Sequence, residues 1–378
     1  MFALHPRRFA LVTGGAGLIG SHLADRLLAE GWRVRILDNL EPQTHGRSRP
    51  AWINPGAEFV LGDVRAPATL LEALDGVDHV FHLAAYGGYM PEISRFVEVN
   101  SLGTARLLEA IRDHNLPVRK LVIASSQAVY IEGAVECPQH GLQFPPRRQD
   151  GDLAAGRFGV PCPVCGRAAR SVPTPERAPT GGETVYALTK LDQERLALNW
   201  SRQVGIPAVA LRFACTYGPR QSVVNPYTGV IAVFCTRLLN GLPPILYEDG
   251  EQTRDLCHVW DIAGACLLAA ETERLDGLAA NVGSGEATSV RGLAEMLAEL
   301  LEVRIPPEVA GAYRPGEMRA LTADTALAHS AGFWPTVSLP EGLRTYVEWL
   351  ATQGPVAERF AESLARLRGH RVVHAVAS

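Results

Sequence analysis

Apolar and polar residues follow one another in blocks along the first third of the chain, and each block has the length of one strand or one helix. Residues 8–39, RFALVTGGAGLIGSHLADRLLAEGWRVRILDN, begin with the short apolar run FALV, which predicts a buried strand. A helix is predicted next, because apolar residues recur at helical spacing before Gly31: Ile19, Leu23, Leu27 and Leu28. The segment therefore predicts a strand, a glycine turn, a helix and a second strand.

Three further apolar runs follow, with helical stretches between them: AEFVLGDV at 57–64, DHVFHLAA at 78–85 and RKLVIASS at 119–126. Strands that alternate with helices predict an α/β fold with a Rossmann-like, doubly wound parallel sheet. Ligands of such sheets bind outside the carboxyl ends of the strands. In this chain those ends carry Asp63 and Val64, residues 82–85, and Ser125 and Ser126.

The glycine turn has the chemistry of a dinucleotide site. Gly14, Gly17 and Gly20 have the spacing TGxxGxxG, which lets backbone N–H groups approach a pyrophosphate and lets helix and strand pack closely. Asp38, at the end of the second strand, is expected to accept hydrogen bonds from the adenosine ribose and to repel a 2′-phosphate. The pattern predicts NAD rather than NADP, although Arg47 and Arg49 downstream are able to reverse that preference.

Charge and composition narrow the range of partners. The 378 residues contain 36 Lys and Arg against 40 Asp and Glu, a balance that indicates neither nucleic acid nor an anionic membrane. No apolar run approaches the ~18 residues of a membrane span, and MFALHPRRFALVTGG lacks the layout of a signal peptide. We expect a cytoplasmic protein whose seven cysteines are reduced unless they bind a metal.

Residues 131–182 differ from the rest, being rich in Pro, Gly, Arg and Cys. ECPQHG at 136–141 and VPCPVCG at 160–166 form a CxxH…CxxC pattern typical of tetrahedral zinc: Cys137, His140, Cys162 and Cys165. A disulfide would be unstable in the cytoplasm, and a redox CxxC normally opens a helix, which this stretch does not resemble. Four protein ligands leave no open position, so a structural zinc ion is predicted, on which folding of the insertion depends.

Nine short stretches, in order from residue 8 to about residue 350, carry a family resemblance: TGGAGLIG, GDV, HLAA, VNSLGT, ASSQAVY, YALTK, LRFACTYGPRQ, RDLCHVWDIA and RPGEMR. Through them the chain resembles the extended short-chain dehydrogenases/reductases, specifically their nucleotide-sugar epimerases and dehydratases. The resemblance implies NAD, a nucleotide-sugar substrate and a homodimer. It also implies cofactor contacts from Gly14, Gly17, Leu18, Ile19, Asp38, Asn39, Asp63, Val64, Leu83, Ala84, Ala85, Asn100, Tyr186 and Lys190.

The YxxxK pair is the predicted catalytic element. Tyr186 and Lys190 are four residues apart and therefore lie on one face of a helix. A phenol with a pKa near ~10 is a poor base at neutral pH, and a nearby ammonium lowers that pKa by roughly 1–3 units. Tyr186 is then able to take a proton from a sugar hydroxyl while the attached carbon gives hydride to NAD. The resemblance assigns Ser126 to steadying the same oxygen.

The resemblance also assigns substrate contacts. Arg254 and Arg319 match arginines that clamp the nucleotide diphosphate, a bidentate task suited to guanidinium. NPYTG at 225–229, which contains Asn225, falls where the family lines the nucleotide and sugar pocket, and Ser126 faces the sugar. Cys215 occupies the slot usually held by a substrate-contacting asparagine. We expect it to be a small packed hydrophobe rather than a nucleophile.

Two positions after Ser126 bear on the reaction. The 4,6-dehydratases of the family carry an acidic pair where this chain has Gln127 and Ala128, and neither side chain exchanges protons near neutral pH. The hypothesis is therefore a 4-epimerase that oxidises C4 transiently with tightly held NAD, acting on a dTDP- or UDP-hexose of the dTDP-L-rhamnose or UDP-glucose type. The alternatives are a nucleotide-sugar reductase or dehydratase, and a non-catalytic NAD-binding protein with a zinc partner module.

The predicted organisation follows from these segments. Residues 1–130 and 179–212 form the NAD-binding domain, 131–178 the zinc-ribbon-like insertion, 213–350 mainly a smaller substrate-binding domain, and 351–378 a C-terminal tail. Part of 213–350 is expected to return to the sheet. The tail is predicted to add one amphipathic helix or to fray.

Overall fold

The computed structural model describes residues 8–46, 48–88, 90–223, 225, 227 and 229–377. Its strands, in chain order, are β1 (Phe9–Thr13), β2 (Arg33–Asp38), β3 (Glu58–Leu61), β4 (His79–His82), β5 (Lys120–Ser126), β6 (Val135–Cys137), β7 (Gly141–Gln143), β8 (Arg170–Ser171), β9 (Ala208–Phe213), β10 (Cys215–Tyr217), β11 (Ile245–Leu246), β12 (Thr253–Arg254), β13 (Leu256–His258), β14 (Ala279–Val282), β15 (Thr288–Ser289), β16 (Glu308–Val309), β17 (Ala312–Tyr313), β18 (Ala320–Leu321) and β19 (His374–Ala375).

The helices, in chain order, are α1 (Leu18–Ala29), α2 (Pro42–His45), α3 (Pro67–Leu74), α4 (Ile93–Phe96), α5 (Gly103–Asp113), α6 (Asp150–Ala154), α7 (Val185–Val204), α8 (Val230–Leu239), α9 (Val259–Glu271), α10 (Val290–Leu300), α11 (Ala326–Ala331), α12 (Leu339–Ala351) and α13 (Phe360–Gly369). A π-helical segment, Val97–Leu102, joins α4 to α5, and a 3₁₀ turn, Gln127–Val129, follows β5. In the part of the chain that the structure describes, no helix is both long enough and apolar enough to span a bilayer.

Seven parallel strands form the central sheet, in the order β14-β9-β5-β4-β1-β2-β3. Each face of the sheet is covered by helices, as the alternation of strands and helices predicts. On one face α1 and α9 bury Leu23, Leu27 and Ile262; on the other, α3, α5 and α7 bury Leu70 and Leu107. Each fully buried leucine contributes about 1.5–3 kcal/mol. The predicted doubly wound parallel sheet is confirmed.

The order of the strands positions the site. It reverses between β1 and β4, so the carboxyl ends of these neighbours open a crevice there. Helix α7 packs on β5 and β9. It begins where the Thr184 hydroxyl accepts a hydrogen bond from the Ala187 N–H at 3.2 Å, and it ends at Gly205. This N-cap fixes the first turn of α7, which carries Tyr186.

The segment after residue 212 builds a second group of small sheets beside the crevice. β12 pairs with β15 and β18, and β10 pairs with β13. β14 leaves this group and forms the edge of the central sheet next to β9. The tail adds α13 and then β19, which pairs with β17 in antiparallel fashion.

The cysteine-rich insertion folds as a three-stranded antiparallel sheet, β7-β6-β8, with the short helix α6 beside it. Its two ends are tied to the segment around β18. Thr174 N–H donates to the Thr322 carbonyl at 2.8 Å, and Thr174 forms a parallel bridge with Ala323. The insertion therefore lies against the substrate-side sheets.

Candidate active site and metal centre

The glycine turn after β1 opens the N-terminus of α1 toward the crevice. Gly14 has φ +69°, and a Cβ there would lie 2.8 Å from the Ala84 backbone nitrogen, so only glycine fits. Gly17 is the N-cap of α1, and Ser21 N–H is the first to bond back to it, at 3.0 Å. The N–H groups of Leu18 and Ile19 therefore have no partner within the helix, an arrangement that suits a pyrophosphate.

Asp38 lies at the end of β2 beside this turn and is buried. Its Oδ2 accepts the Ala16 N–H at 2.9 Å, its Oδ1 accepts the Leu40 N–H at 2.8 Å, and His45 Nε2 is 3.8 Å from Oδ1. Because a carboxylate has about four acceptor positions, lone pairs remain for ribose hydroxyls. The position fits the predicted adenosine contact.

The next strand ends supply Asn39 and Asp63. Asn39 Nδ2 donates to Asp63 Oδ2 at 2.9 Å, and Arg65 pairs with the same carboxylate. Burial alone would raise the pKa of Asp63, but the hydrogen bonds from Arg65 and Asn39 bring it to about 2. Val64 is buried beside them. Arg49 stacks over the Phe59 ring at 4.4 Å, whereas Arg47 lies outside the described residues.

The loop after β4 is held against the crevice by buried hydrogen bonds. Leu83 N–H bonds to the Thr13 carbonyl, and Ala84 N–H bonds to the Thr13 hydroxyl at 3.2 Å; Ala85 follows, exposed. The fully buried Asn100 amide exchanges two hydrogen bonds with the Tyr86 backbone, at 2.7 and 2.9 Å. Asn100 Nδ2 also donates to a hydroxyl of α7. A contact between Asn100 and the cofactor stays a prediction.

Ser126, Tyr186 and Lys190 come together at the carboxyl end of β5. Burial raises the pKa of the Tyr186 phenol, and the Ser126 hydroxyl beside it acts in the opposite direction. Lys190 is 2% exposed, and burial lowers the pKa of its ammonium to about 7, with Glu194 opposing the shift. The predicted trio shares one site whose phenol is protonated at neutral pH and whose lysine titrates near neutrality.

Lys190 also belongs to a buried chain of neutral groups that the sequence reasoning missed. Its Nζ donates to Gln193 Oε1 at 2.8 Å, and Gln193 Nε2 donates to the Thr104 hydroxyl at 2.9 Å. His82 joins the Thr104 and Thr13 hydroxyls at 2.9 and 2.8 Å. Burial and Lys190 lower the pKa of His82 to about 3, so it is neutral. The i, i+3 spacing of Lys190 and Gln193 was the available signal.

Cys215, at the start of β10, is exposed, so the expectation that it is a packed hydrophobe is wrong. Burial raises the pKa of its thiol, with Arg254 opposing and Asp255 and Glu317 reinforcing the rise. Cys215 raises the pKa of Tyr186, and Arg254 lowers the pKa of Cys215, so the exposed thiol lies between the trio and Arg254. We refer to the space above this thiol as the cleft.

One predicted clamp arginine lies on β12 and the other directly precedes its neighbour β18. Arg254, in β12, donates to Glu317 Oε1 at 2.7 Å, and Arg319, just before β18, forms a fork with Asp249 at 2.6 and 2.8 Å. The Thr253 N–H bonds to the Arg319 carbonyl at 3.0 Å and holds the strands together. Glu317 was missed by the sequence reasoning. Burial alone would raise its pKa, but Arg314 and Arg254 lower it.

Asn225 is the described part of the predicted nucleotide pocket, together with Tyr227 and Gly229. It is buried, and its Oδ1 accepts the Tyr227 N–H at 3.1 Å. This bond fixes the turn before α8. A contact between Asn225 and substrate stays a prediction.

The four predicted metal ligands converge in the insertion, with their donor atoms within 4.8 Å of one another. His140 Nδ1 lies 3.5 Å from the Sγ atoms of Cys137 and Cys162, and the Sγ atoms of Cys137 and Cys165 are 3.8 Å apart. A tetrahedral zinc ion with bonds of about 2.3 Å to sulfur and about 2.0 Å to nitrogen requires separations of about 3.5–3.8 Å. The donor set fits zinc. A disulfide, at about 2.05 Å, does not match the sulfur separation.

Backbone geometry supports the two knuckles. Cys162 N–H bonds to the Arg167 carbonyl at 2.8 Å, and Gly166 N–H bonds to the Cys162 carbonyl at 2.9 Å. Hydrogen bonds from the backbone and side chain of Arg167 lower the pKa of the Cys165 thiol to about 6. Those from Gln139 and His140 lower the pKa of Cys137. These thiols are therefore disposed to the thiolate form that binds metal.

Comparison with known proteins agrees with this geometry. The NAD-dependent epimerase/dehydratase family matches residues 10–148 and 162–283, more than half of the chain, and the gap lies inside the insertion. A dTDP-L-rhamnose 4-epimerase from Burkholderia thailandensis is 36% identical over 355 residues, which cover 91% of this chain and 95% of that protein. The chain belongs to the NAD-dependent epimerase/dehydratase family.

Solved structures agree as well. The crystal structure of a UDP-glucose 4-epimerase with UDP-glucose from Thermotoga maritima matches with a TM-score of 0.75 at 28% identity, covering 91% of this chain and 99% of that one. A Thermus thermophilus UDP-glucose 4-epimerase in complex with NAD matches with a TM-score of 0.70 at 30% identity, with the same coverage. The expected Rossmann-like fold and the family resemblance are confirmed.

Proposed function

We propose that the protein is an NAD-dependent nucleotide-sugar 4-epimerase. The observation that carries the proposal is the grouping of Ser126, Tyr186 and Lys190 at the carboxyl end of β5, in the crevice that the glycine turn opens. The residues directly after Ser126 support epimerisation over dehydration, because Gln127 and Ala128 form a 3₁₀ turn without an ionisable side chain. The 4-epimerases among its relatives support the same reading.

Each residue of the site has its own role in the proposed reaction. As the phenolate, Tyr186 would accept the proton of the C4 hydroxyl and return it after the sugar has changed face, while the Ser126 hydroxyl orients the phenol oxygen. Lys190, when protonated, favours the phenolate by its charge. NAD, when bound, supplies a reversible hydride acceptor for C4. Gly14, Gly17 and Asp38 are the residues that would hold it.

We assign the substrate class to dTDP- or UDP-hexoses. Arg254 lies on β12 near Cys215, Arg319 directly precedes the paired strand β18, and guanidinium groups suit a diphosphate. The dTDP-L-rhamnose and UDP-glucose 4-epimerases among the relatives support these two sugars as the first to test.

The test is incubation of the purified protein, without added cofactor, with dTDP-L-rhamnose, UDP-glucose and their relatives, with the products identified by NMR. We expect conversion of one sugar to its C4 epimer until equilibrium, with no net change in absorbance at 340 nm. Release of a 4-keto-6-deoxy sugar or dependence on added NAD(P)H would contradict the proposal, and so would bound NAD without turnover of any sugar.

We further propose that the insertion binds one structural zinc ion through Cys137, His140, Cys162 and Cys165. The donor atoms of these four side chains lie within 4.8 Å of one another, and zinc is the metal typically bound by thiolates together with imidazole, which supports the proposal. Elemental analysis of the purified protein is the test, with one zinc per chain expected. Replacement of Cys162 by serine should lower that content well below one.

A homodimer in the cytoplasm completes the proposal. Apolar side chains are exposed along α4, the π-helical segment and α7, and their burial by a second copy would remove them from water: Ile93, Val97, Leu102, Leu188 and Leu196. The cytoplasm keeps the thiols reduced for metal binding. Sedimentation equilibrium should give twice the chain mass, and a monomer at micromolar concentration would contradict the dimer.

A further inference from the structure

The insertion is attached to β18 and its flanking residues, directly after Arg319. Gly133 packs directly on the backbone carbonyl of Ala320, where a side chain would collide with it. At the other end Thr174 pairs with the backbone of Thr322. Between these attachments the buried Arg148 side chain reaches the substrate side, and next to the first attachment the buried Glu132 carboxylate accepts the Arg319 backbone N–H at 2.8 Å.

Arg148 is 8% exposed, and its guanidinium contacts both the insertion and the substrate-side segment. Toward the substrate side, it forms a fork with Glu248, with Nη1 and Nη2 each 2.9 Å from a carboxylate oxygen, and Nη2 donates to the Glu317 carbonyl at 2.6 Å. Within the insertion, Nη1 donates to the Phe158 carbonyl at 3.2 Å, and Nε lies 3.3 Å from Glu132 Oε2. A bidentate geometry of this kind is specific to arginine.

Glu248 transmits this contact to the clamp. The same Oε2 atom that accepts from Arg148 accepts from Arg319 Nη1 at 2.9 Å. Glu248 is buried and has φ +52°, an uncommon conformation for a residue with a side chain. Such strain persists where the surroundings over-determine the backbone, typically at functional sites.

The charges of these side chains support the same connection between the insertion and the clamp arginines. The Arg319 guanidinium faces two carboxylates, Glu248 and Asp249, which would together cancel its attraction for a diphosphate. Arg148 compensates the charge of Glu248 from the far side. Through the Glu317 backbone it also holds the residue whose carboxylate orients Arg254. Both clamp arginines are thus connected to one side chain of the insertion.

We propose that Arg148 is a positioning residue for substrate binding, through which the insertion sets the two arginines that clamp the nucleotide diphosphate. This inference rests on the proposed function of that site. It assigns the insertion a part in substrate affinity, separate from the cofactor and from proton transfer.

The test compares Arg148→Lys with Arg157→Lys, a matched control in the same insertion. Arg157 pairs with Asp152 on the surface, with a side chain that is 67% exposed. KM and kcat are measured with the responding nucleotide sugar, the Kd for dTDP or UDP by calorimetry, and bound NAD by absorbance.

Lysine keeps the charge of Arg148 but not its bidentate hydrogen bonds. We expect KM and Kd to rise about tenfold, which corresponds to about 1.4 kcal/mol, with kcat within twofold and NAD content unchanged. Arg157→Lys should match the wild type.

A merely structural role would change stability without this division between KM and kcat. If Arg148→Lys does not fold, Glu248→Asp replaces it, because the shorter carboxylate keeps its charge but loses contact with one arginine; the same rise in KM is expected.

In combination with Arg319→Lys, Arg148→Lys should add little further loss of affinity. Unchanged KM and Kd in the folded variants, or full additivity with Arg319→Lys, would overturn this inference alone. Absence of nucleotide binding and turnover in the wild type would overturn it together with the proposed function.

Discussion

Two buried polar networks lie on either side of the cleft, and they are built from different groups. The network under Lys190 contains one ammonium among neutral partners, namely Gln193, Thr104 and His82. The network around Arg148 joins guanidinium groups to the carboxylates of Glu132 and Glu248. The first leaves its charge uncompensated by direct contact, and the second pairs every charge with an opposite one.

The difference determines what each network does. A buried ammonium without a directly bonded anion loses protons readily, so the pKa of Lys190 falls to about 7 and the group is able to change charge during a reaction. Buried arginine–carboxylate pairs keep their charges and their geometry. The Lys190 side is therefore suited to proton transfer, and the Arg148 side is suited to holding a charged ligand.

The strongest test of this division is Tyr186→Phe. Removing the phenol oxygen deletes the proton acceptor but leaves the glycine turn intact, so turnover should fall by about 10²–10⁴-fold while NAD stays bound. Tyr313→Phe is the matched control, because the hydroxyl of that buried phenol donates a long, 3.5 Å hydrogen bond to the Asp150 carbonyl. Steady-state rates and NAD absorbance check both variants. Full activity in Tyr186→Phe would remove this residue from the mechanism.

Removal of the proposed zinc ion tests whether the fold of the insertion depends on metal binding. Complete zinc removal with a chelator should increase the rate of proteolysis within residues 131–178 at least about tenfold, since metal binding supplies much of the folding free energy of such modules. The central sheet should stay protected, which mass spectrometry of the fragments would reveal. An insertion that resists protease after all metal is lost would contradict the structural role.

The lowered pKa of Lys190 predicts how the free energy of unfolding varies with pH. In the folded chain burial lowers the pKa to about 7, from an ordinary lysine value of 10.5. Between these values the unfolded chain binds the proton and the folded chain does not, so the free energy of unfolding rises with pH. Relative to Lys190→Met, the wild type should gain about 1 kcal/mol per pH unit from pH 7.5 to 9.5. Urea titrations of both proteins at equal NAD content measure this difference. If the free energy of unfolding varied with pH in the same way in the wild type and in Lys190→Met, the claim that the Lys190 charge is uncompensated would be contradicted.

The smallest expected effect belongs to Cys215, which lies between the two networks. Because burial raises the pKa of its thiol, Cys215 is not a nucleophile at neutral pH. Cys215→Ala should therefore change KM by less than about threefold and leave kcat unaltered. Saturating nucleotide sugar should slow maleimide labelling of Cys215, measured by mass spectrometry. Unprotected labelling would place the thiol outside the substrate cleft.

The dinucleotide side of the molecule was predictable because its signals are local. Gly14, Asp38 and the Tyr186–Lys190 pair are recognised from spacings of a few residues, and the structure places them at one crevice. The clustering of Cys137, His140, Cys162 and Cys165 was predicted in the same way, from two short pairs. Gln193 was within reach of the same reasoning, since it lies three residues after Lys190.

The substrate side was less predictable because its contacts join distant parts of the chain. Arg148 and Glu248 are separated by 100 residues, and Arg148 and Glu317 by 169. No periodicity links such positions before the fold brings them together. The exposure of Cys215 was missed for a related reason, since a short apolar-looking strand does not reveal that it lines a cleft.

The most direct measurement of the central claim is epimerisation in ²H₂O without added NAD, followed by NMR of the product. If Tyr186 handles only the hydroxyl proton while hydride leaves and returns at C4, the product should carry no solvent deuterium on any sugar carbon. Deuterium at C3 or C5 would mean that a C–H proton exchanges with solvent, and the assignment of redox chemistry at C4 without enolisation would be contradicted.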